Sequence, residues 1–221
     1  MVTHVVLVTI KNHGDPHTMT TPLNIQVILG STRQGRFGDK PAHYILGELQ
    51  KRDDVRAELV DLRDWPLPFF DHPVSPMRAK ITEPAVVARW AAKVGEADGY
   101  VIVSPEYNHG YSAVLKNALD WVYTEWTKKP VGFVGYGSTG GSRAIEQLRQ
   151  VVLELDMVSI REAVHIPIEV YLAVMKETAP AAPELFRPLR EGMFGDRVAQ
   201  FLDKLTKVAH GMRGWRVESP P

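Results

Sequence analysis

Three segments rich in glycine, hydroxyl and charged residues contain the side chains whose types and spacing could do chemistry. The first has the sequence GSTRQGRFG and includes Ser31, Thr32, Arg33 and Arg36. Hydroxyl, guanidinium and backbone N–H groups at the start of a helix are the donors that bind a phosphate monoester. Its glycines fit neither the dinucleotide-binding pattern G-x-G-x-x-G nor the P-loop pattern. The segment therefore predicts either a phosphate site of another kind or an ordinary turn with surface arginines.

The second segment follows a strand-like run and reads SPEYNHGY. Pro105 stiffens the turn, and Asn108 with the local backbone could pair with the edge of a planar heterocycle that Tyr107 covers. Glu106 could act as a general base, or it could be a carboxylate that holds the loop or a neighbouring subunit. His109 could act as an acid, although a histidine before glycine in a turn more often serves the conformation.

The third segment reads GYGSTGGSR, and its glycines would let a flat ligand approach the backbone closely. Ser138 invites comparison with a hydrolase nucleophile, which needs the pattern G-x-S-x-G. The residue two positions before Ser138 is Tyr136 rather than glycine, and no Asp and His pair follows at later strand ends. The sequence therefore assigns no catalytic nucleophile, and it predicts no essential acid or base.

These segments lie at defined places in an alternating pattern of apolar runs and amphipathic stretches. Strands are predicted at residues 24–29, 55–62, 100–103, 131–134 and 158–166, a final helix at 194–212, and residues 170–190 are left unassigned. The pattern predicts an α/β fold with a five-stranded parallel sheet and helices on both faces. Ligands of such sheets bind at the carboxyl ends of the strands, and the three segments follow strands one, three and four.

The composition excludes several classes of function. The 221 residues suffice for one full domain, the charges sum to zero, and cysteine is absent. Thiolate chemistry, disulfides and cysteine-based metal sites are thereby excluded, and no overall charge draws the chain to nucleic acid or to a membrane. We expect a soluble cytoplasmic protein with neither partner.

Residues 1–22 are predicted to be an N-terminal extension of unknown role, in which residues 1–18 form either an added edge strand or a segment outside this architecture. His13, Asp15 and His17 have a spacing that could hold a metal ion, but nothing else in the sequence supports a metal site. We therefore predict a linker without metal.

Three stretches of the chain resemble the NADPH-dependent FMN reductase family, which includes quinone, azo-dye and chromate reductases. They are GSTRQGR, SPEYNHGYSAVLKNALDW and KPVGFVGYGSTGGSRAIEQLRQV, and the resemblance covers about residues 23–166. It implies a flavodoxin-like three-layer sandwich over residues 23–215 and FMN as cofactor. It also implies hydride transfer from NADPH or NADH through the bound flavin to a small acceptor, namely a quinone, free flavin, azo compound or metal oxyanion. Members of the family are usually homodimers or homotetramers.

The resemblance also implies which residues bind the cofactor. The residues expected at the FMN phosphate are Ser31, Arg33, Arg36, Phe37 and Gly38. The residues expected against the isoalloxazine ring or ribityl chain are Pro105, Glu106, Tyr107 and Asn108. The residues expected on the other side of the ring are Gly137, Ser138, Thr139, Gly140 and Gly141. Arg36 departs from the small hydroxyl or amide residue of many relatives, so it either adds charge to the phosphate site or points away.

Two other functions stay open at this point. An FMN-binding electron carrier without nicotinamide oxidase activity would have the same fold, but such carriers are typically strongly acidic, whereas this chain has no net charge. A flavin-free scaffold is disfavoured by the intact second and third segments. The aromatic segment WPLPFF, and the helix with Trp121, Tyr123 and Trp126, could each face a subunit interface or the core.

Overall fold

A computed structural model describes residues 21–176, 183–191 and 195–218, and it contains a central sheet of five strands. The strands are β1 (Leu23–Leu29), β2 (Val55–Asp61), β3 (Gly99–Pro105), β4 (Pro130–Tyr136) and β5 (Val158–His165). They lie in the order β2-β1-β3-β4-β5, and every neighbouring pair is parallel. Because β3 and β4 are buried along their whole lengths, their sequences are almost continuously apolar. The predicted flavodoxin-like α/β fold is confirmed.

Within the described part of the chain, six α-helices cover the two faces of the sheet. They are α1 (Asp39–Gln50), α2 (Ala85–Gly95), α3 (Ala113–Asp120), α4 (Ser142–Glu154), α5 (Ile168–Lys176) and α6 (Arg197–Glu218). Buried side chains of α1, α5 and α6 form the core on one face, and those of α2, α3 and α4 form the core on the other. Among the described residues, no helix is long and apolar enough to cross a membrane.

Three details of the predicted elements are corrected. Thr82 has the side chain of an N-cap, which predicts a helix with Pro84 in its first turn, but α2 begins at Ala85, after the extended residue Pro84. The unassigned stretch contains α5 and a 3-10 turn at Pro183–Leu189. β3 and β4 extend to Pro105 and Tyr136, so the predicted sites begin inside the sheet rather than after it.

The large aromatic residues lie mainly in the core. Trp121 and Trp126 are at most 2% exposed, so they belong to the core, but they follow α3, which ends at Asp120, instead of lying in the predicted helix. The ring of Phe70 lies edge-on to Trp121 at 5.0 Å between centroids, which places it against the same core. Phe69, by contrast, is 80% exposed. In the WPLPFF segment, one of the two adjacent phenylalanines therefore packs against the core and the other lies on the surface.

Helix α6 completes one face and also closes the amino ends of the central strands. The ring of Phe201 packs directly over Gly132 of β4, where any side chain would overlap it. Near the other end of the helix, Arg213 Nε and Arg216 Nη2 donate hydrogen bonds of 3.0 and 2.8 Å to Asp98 Oδ1. The last helix of the fold is thus fixed to the start of β3 by charge as well as by packing.

A lysine is buried at the same end of the sheet, opposite the predicted sites. Lys129 is 7% exposed, and its Nζ donates to the carbonyl oxygens of Val94 and Gly95 at 3.2 and 3.1 Å. It also lies 3.2 Å from the Tyr100 hydroxyl. Burial, helped by the nearby charge of Arg216, lowers the pKa of Lys129 to about 8. The protonated amine thus caps the carboxyl end of α2 but is destabilised by its surroundings.

This burial predicts a specific dependence of stability on pH. The unfolded chain holds the lysine proton up to the ordinary pKa of 10.5, whereas the folded chain loses it at about 8. The free energy of unfolding should therefore rise as the pH increases from about 8 to 9.5. Lys129→Met should remove this rise, and chemical denaturation across that range measures it.

Lys51→Met is the matched control, because the Lys51 side chain is 64% exposed. The control should keep the pH dependence of the wild-type protein. If Lys129→Met kept it as well, the buried amine would not be its source.

Candidate functional site

The carboxyl ends of β1, β3 and β4 are neighbours, and hydrogen bonds join the three loops that follow them. The Gly30 N–H donates to Val103 O at 2.9 Å, and the Glu106 N–H donates to Tyr136 O at 2.9 Å. The Ser112 hydroxyl donates to Gly30 O. The three sequence segments with candidate chemistry therefore form one continuous surface at the edge where ligands of parallel sheets bind.

The first loop has a buried base and an exposed rim. Ser31 is fully buried, and its hydroxyl lies 2.8 Å from the Tyr107 hydroxyl of the second loop. Phe37 is also buried, with its ring 5.0 Å from that of Tyr136. Arg33 is exposed, and its guanidinium has no partner among the described residues. This free cation is available to an anion at the rim.

Arg36 points into the protein instead. Its side chain is 3% exposed and forms salt bridges with Asp39 and Asp61, and Nη1 donates to Ser31 O at 2.5 Å. Burial alone would lower the pKa of Arg36, but the hydrogen bonds to Asp61 and Asp39 raise it above its usual value. The structure thus favours the second of the two roles considered for Arg36, in which the side chain points away and ties the loop to α1 and β2.

Gly38 and Tyr136 form the floor of the first loop. A Cβ on Gly38 would lie 2.7 Å from both Leu29 Cδ1 and Tyr136 Oη, so a larger residue there would require these two side chains to move. The Tyr136 hydroxyl is buried and makes no hydrogen bond of normal geometry within the described residues, although the Ser31 side chain lies close to it. Burial raises the pKa of Tyr136, so this hydroxyl stays protonated and able to donate. A buried donor without a hydrogen bond of normal geometry beside an anion-binding loop fits a phosphate group.

The second loop is a tight turn with an uncommon backbone. The Tyr107 N–H donates to Gly110 O at 2.8 Å, and the Gly110 N–H donates to Tyr107 O at 3.1 Å. The two residues between them, Asn108 and His109, have φ angles of 49° and 75°, which lie in the left-handed region. Both are exposed. The turn therefore presents two polar side chains at its tip.

Glu106 joins the second and third loops. Its side chain is 3% exposed and accepts hydrogen bonds from the Thr139 hydroxyl at 3.0 Å, the Arg143 N–H at 3.1 Å and Arg143 Nε at 2.6 Å. Burial would raise the pKa of Glu106, but the hydrogen bonds from Arg143 and Thr139 lower it. The carboxylate stays ionised at the amino end of α4, where the helix dipole favours it. These contacts favour the loop-holding role over a general base.

The glycines of the third loop contact the protein's own backbone. Gly137, Gly140 and Gly141 have φ angles of 144°, 65° and 72°. A Cβ on Gly141 would lie 2.6 Å from the Tyr136 backbone nitrogen, and one on Gly137 would lie 3.1 Å from Glu106 Cβ. Glycine is therefore required at 137 and 141 by the fold of the loop itself, apart from any ligand.

The described residues contain no sign of hydrolase or metal chemistry. The exposed Ser138 hydroxyl has no hydrogen-bond partner among them, so no base stands next to it. No group of three or more histidine, aspartate or glutamate side chains in the described part of the chain could hold a metal ion. His13, Asp15 and His17 lie outside the described residues.

The sequence did not single out four side chains that shape this site. Asp61 and Tyr136 lie at the carboxyl ends of β2 and β4, where the positions were predictable but the contacts were not. Arg143 and Gln147 hold the second loop from α4, and Gln147 Nε2 donates to His109 O at 2.9 Å. Their spacing of four residues puts both on one side of a helix, which is a usable signal in the sequence.

The comparison with known families agrees with this geometry. Residues 23–169 match the NADPH-dependent FMN reductase family. The chain belongs to this family. The family predicted from the sequence is therefore confirmed. The predicted NAD(P)H-dependent oxidoreductase activity and the predicted cofactors, FMN and NADPH or NADH, are also confirmed.

Curated FMN reductase relatives extend over most of the domain. An NAD(P)H-dependent FMN reductase of Schizosaccharomyces pombe is 43% identical over 135 residues, which are 60% of this chain and 67% of the relative. Another from Nectria sp is 32% identical over 179 residues, which are 78% of this chain and 83% of the relative. A quinone reductase of Escherichia coli is 33% identical over 144 residues, 62% and 73% of the two chains.

Solved structures agree on the fold of this FMN reductase family member. A flavoenzyme NAD(P)H:(acceptor) oxidoreductase from Paracoccus denitrificans matches with a TM-score of 0.59 at 24% identity. The match covers 84% of this chain and 98% of that one. At this identity the likeness concerns the fold alone.

The contacts of Glu106 predict the effect of removing its charge. Glu106→Gln keeps the size of the side chain but leaves Arg143 without its carboxylate, and should lower the free energy of unfolding by about 1–3 kcal/mol. Because folding lowers the pKa of Glu106, its stabilisation is present above the ordinary value of 4.5 and is lost as the pH falls through the lowered pKa. Urea denaturation of both proteins at neutral and acidic pH measures the difference, which should shrink in acid.

Glu191→Gln provides the control, since Arg187 and Glu191 form a salt bridge in which the side chains are 69% and 68% exposed. Its effect should stay below about 0.5 kcal/mol. Equal effects of the two substitutions would show that Glu106 is no more than a surface charge.

Proposed function

We propose that this protein reduces small acceptors of the quinone type, taking hydride equivalents from NADPH or NADH through FMN bound at the three loops. The observation that carries the binding site is the first loop, where the Tyr136 hydroxyl lies against Gly38 at the start of α1 and the exposed Arg33 guanidinium has no partner among the described residues. The acceptor class is supported by relatives named quinone reductase and 2-hydroxy-1,4-benzoquinone reductase. Asn108 and Ser138, one in each of the other two loops, are both exposed and so accessible to a ligand.

The residues proposed to hold FMN follow the order of the loops. Those at the phosphate are Ser31, Arg33, Tyr136 and the backbone of residues 36–38. The segments proposed at the ring are residues 105–108 on one side and 137–141 on the other. When bound, FMN supplies the redox chemistry of hydride acceptance and release.

The protein's own part in this proposal is to bind and to position. Arg33 supplies a charge-assisted hydrogen bond to the phosphate. The Glu106 carboxylate and Arg143 fix the distance between the second and third loops, so that both can contact one flat ring. Neither residue moves a proton, because the pKa of Glu106 is lowered and the carboxylate stays ionised.

Three further features stay predictions within this proposal. We expect a homodimer or homotetramer, for which the exposed Phe69 is a candidate contact. We expect a cytoplasmic location. We also expect residues 23–215 to form the FMN-binding domain, with residues 1–22 as an extension outside it.

Spectroscopy tests the proposed function directly. Purified protein mixed with FMN should show a bound flavin band near about 450 nm that bleaches when NADPH or NADH is added without oxygen. Adding 1,4-benzoquinone should restore the band. Riboflavin, which lacks the phosphate, should bind much more weakly than FMN, because Arg33 and Tyr136 would have no anion to contact.

The outcomes separate the alternatives. Bound flavin that neither nicotinamide bleaches would indicate an electron carrier rather than a reductase. Equal affinities for riboflavin and FMN would contradict the phosphate site, and no flavin binding would refute the proposal.

Arg33 can be tested alone. Arg33→Ala should weaken FMN binding by about 1.5–3 kcal/mol, the value of a hydrogen bond to a charged group, and should leave riboflavin binding unchanged. Fluorescence titration with each flavin measures both affinities. Arg56→Ala is the control, because Arg56 is an exposed arginine near the amino end of β2, far from the loops. If Arg33→Ala left FMN affinity unchanged, the phosphate would bind elsewhere.

A further inference from the structure

His109 occupies a backbone position that suits glycine. Two-residue turns with both φ angles positive favour Asn followed by Gly, and here the pair is Asn108 and His109, with φ of 49° and 75°. Asparagine and histidine both adopt this conformation more often than other side chains do, but it still costs energy at a residue that is not glycine. Strained residues persist where the surroundings hold them, and they cluster at sites of function.

The surroundings hold this residue from two sides. Gln147 Nε2 donates to the His109 carbonyl at 2.9 Å, and Arg143 Nη1 lies 3.2 Å from His109 Nδ1. Arg143 is itself fixed by the buried carboxylate of Glu106. The imidazole therefore has a defined orientation although it is exposed.

The contact with Arg143 also determines which nitrogen of the ring carries the proton. A guanidinium can only donate, so Nδ1 must accept the hydrogen bond and the proton must be on Nε2. In the described part of the chain, Nε2 has no hydrogen-bond partner. His109 thus presents one oriented N–H donor on the open side of the turn.

We propose that His109 is a specificity-determining residue, whose Nε2–H donates a hydrogen bond to a carbonyl oxygen of a quinone-type acceptor. This inference rests on the proposed function, in which residues 105–108 contact the flavin ring and His109 therefore lies at the rim where an acceptor enters. Negative charge develops on the carbonyl oxygens of a quinone as it is reduced, and a donor held in place by Arg143 stabilises that charge.

The imidazole gives a hydrogen bond and keeps its proton. Reduction of a quinone to a hydroquinone takes two electrons and two protons. NAD(P)H supplies both electrons and one proton as hydride, and water supplies the second proton. No further oxidant or reductant is needed.

The experiment compares two acceptors in one variant. His109→Gly removes the donor and relaxes the backbone, so the melting temperature should not fall. The ratio of kcat/KM for 1,4-benzoquinone to that for ferricyanide, which has no carbonyl group, should fall about tenfold, as expected for one lost hydrogen bond. FMN affinity, measured by fluorescence titration, should stay within about twofold, because His109 is proposed to contact the acceptor and not the cofactor.

Asp156→Gly is the matched control. Asp156 also has a positive φ, 53°, but it lies in the turn between α4 and β5, at the opposite end of the sheet from the loops. Relaxing the backbone there should leave the ratio of the two acceptors unchanged.

Two results would overturn the proposal. An unchanged ratio would show that His109 does not discriminate between acceptors, and a large loss of FMN affinity would assign it to the cofactor. Failure of the wild-type protein to bind FMN or to oxidise NADPH would instead refute the proposed function, so the two failures are distinguishable.

Discussion

The site depends on one buried ionic contact, in which the Glu106 carboxylate fills the amino end of α4. That end of a helix is where parallel α/β proteins often bind an anion from solution. Here the protein supplies the anion from its own second loop, and Arg143 completes the neutralisation. The helix end after β4 is therefore used to align loops, and the start of α1 after β1 is where we propose that the ligand binds.

The arginines near the first loop show the same division of roles. Arg36 is buried between two aspartates, whose salt bridges neutralise its charge and join the loop to α1 and β2. Arg33 stands at the rim with no partner among the described residues. This arrangement suits a ligand that must bind in a single orientation, because Arg36 holds the loop in place and Arg33 is left to contact the ligand.

The sequence predicted the fold well because burial dominates it. Strands such as β3 and β4 are buried on both faces, so their apolar runs could hardly form anything but central parallel strands. Helix α5 was not predicted, because Ile168 and Leu172 are apolar but exposed. The apolar residues of this helix therefore do not mark a single buried face. The proximity of the three candidate segments could be predicted because β1, β3 and β4 are neighbours in the sheet, so their carboxyl ends meet at one edge. The roles of Arg36 and Glu106 were left open, since each depends on partners distant in sequence, Asp61 and Arg143, whose contacts arise only from tertiary packing.

The position of α6 has a consequence for the order of events during synthesis. Phe201 covers Gly132 of β4, and Arg213 and Arg216 anchor the helix at Asp98, yet all of these α6 residues follow every residue of the site in the chain. A nascent chain that has already emerged past the third loop would still expose one apolar face of the sheet. Because α6 supplies part of the cover on that face, we expect the three loops to be held in register only once α6 has emerged and packed.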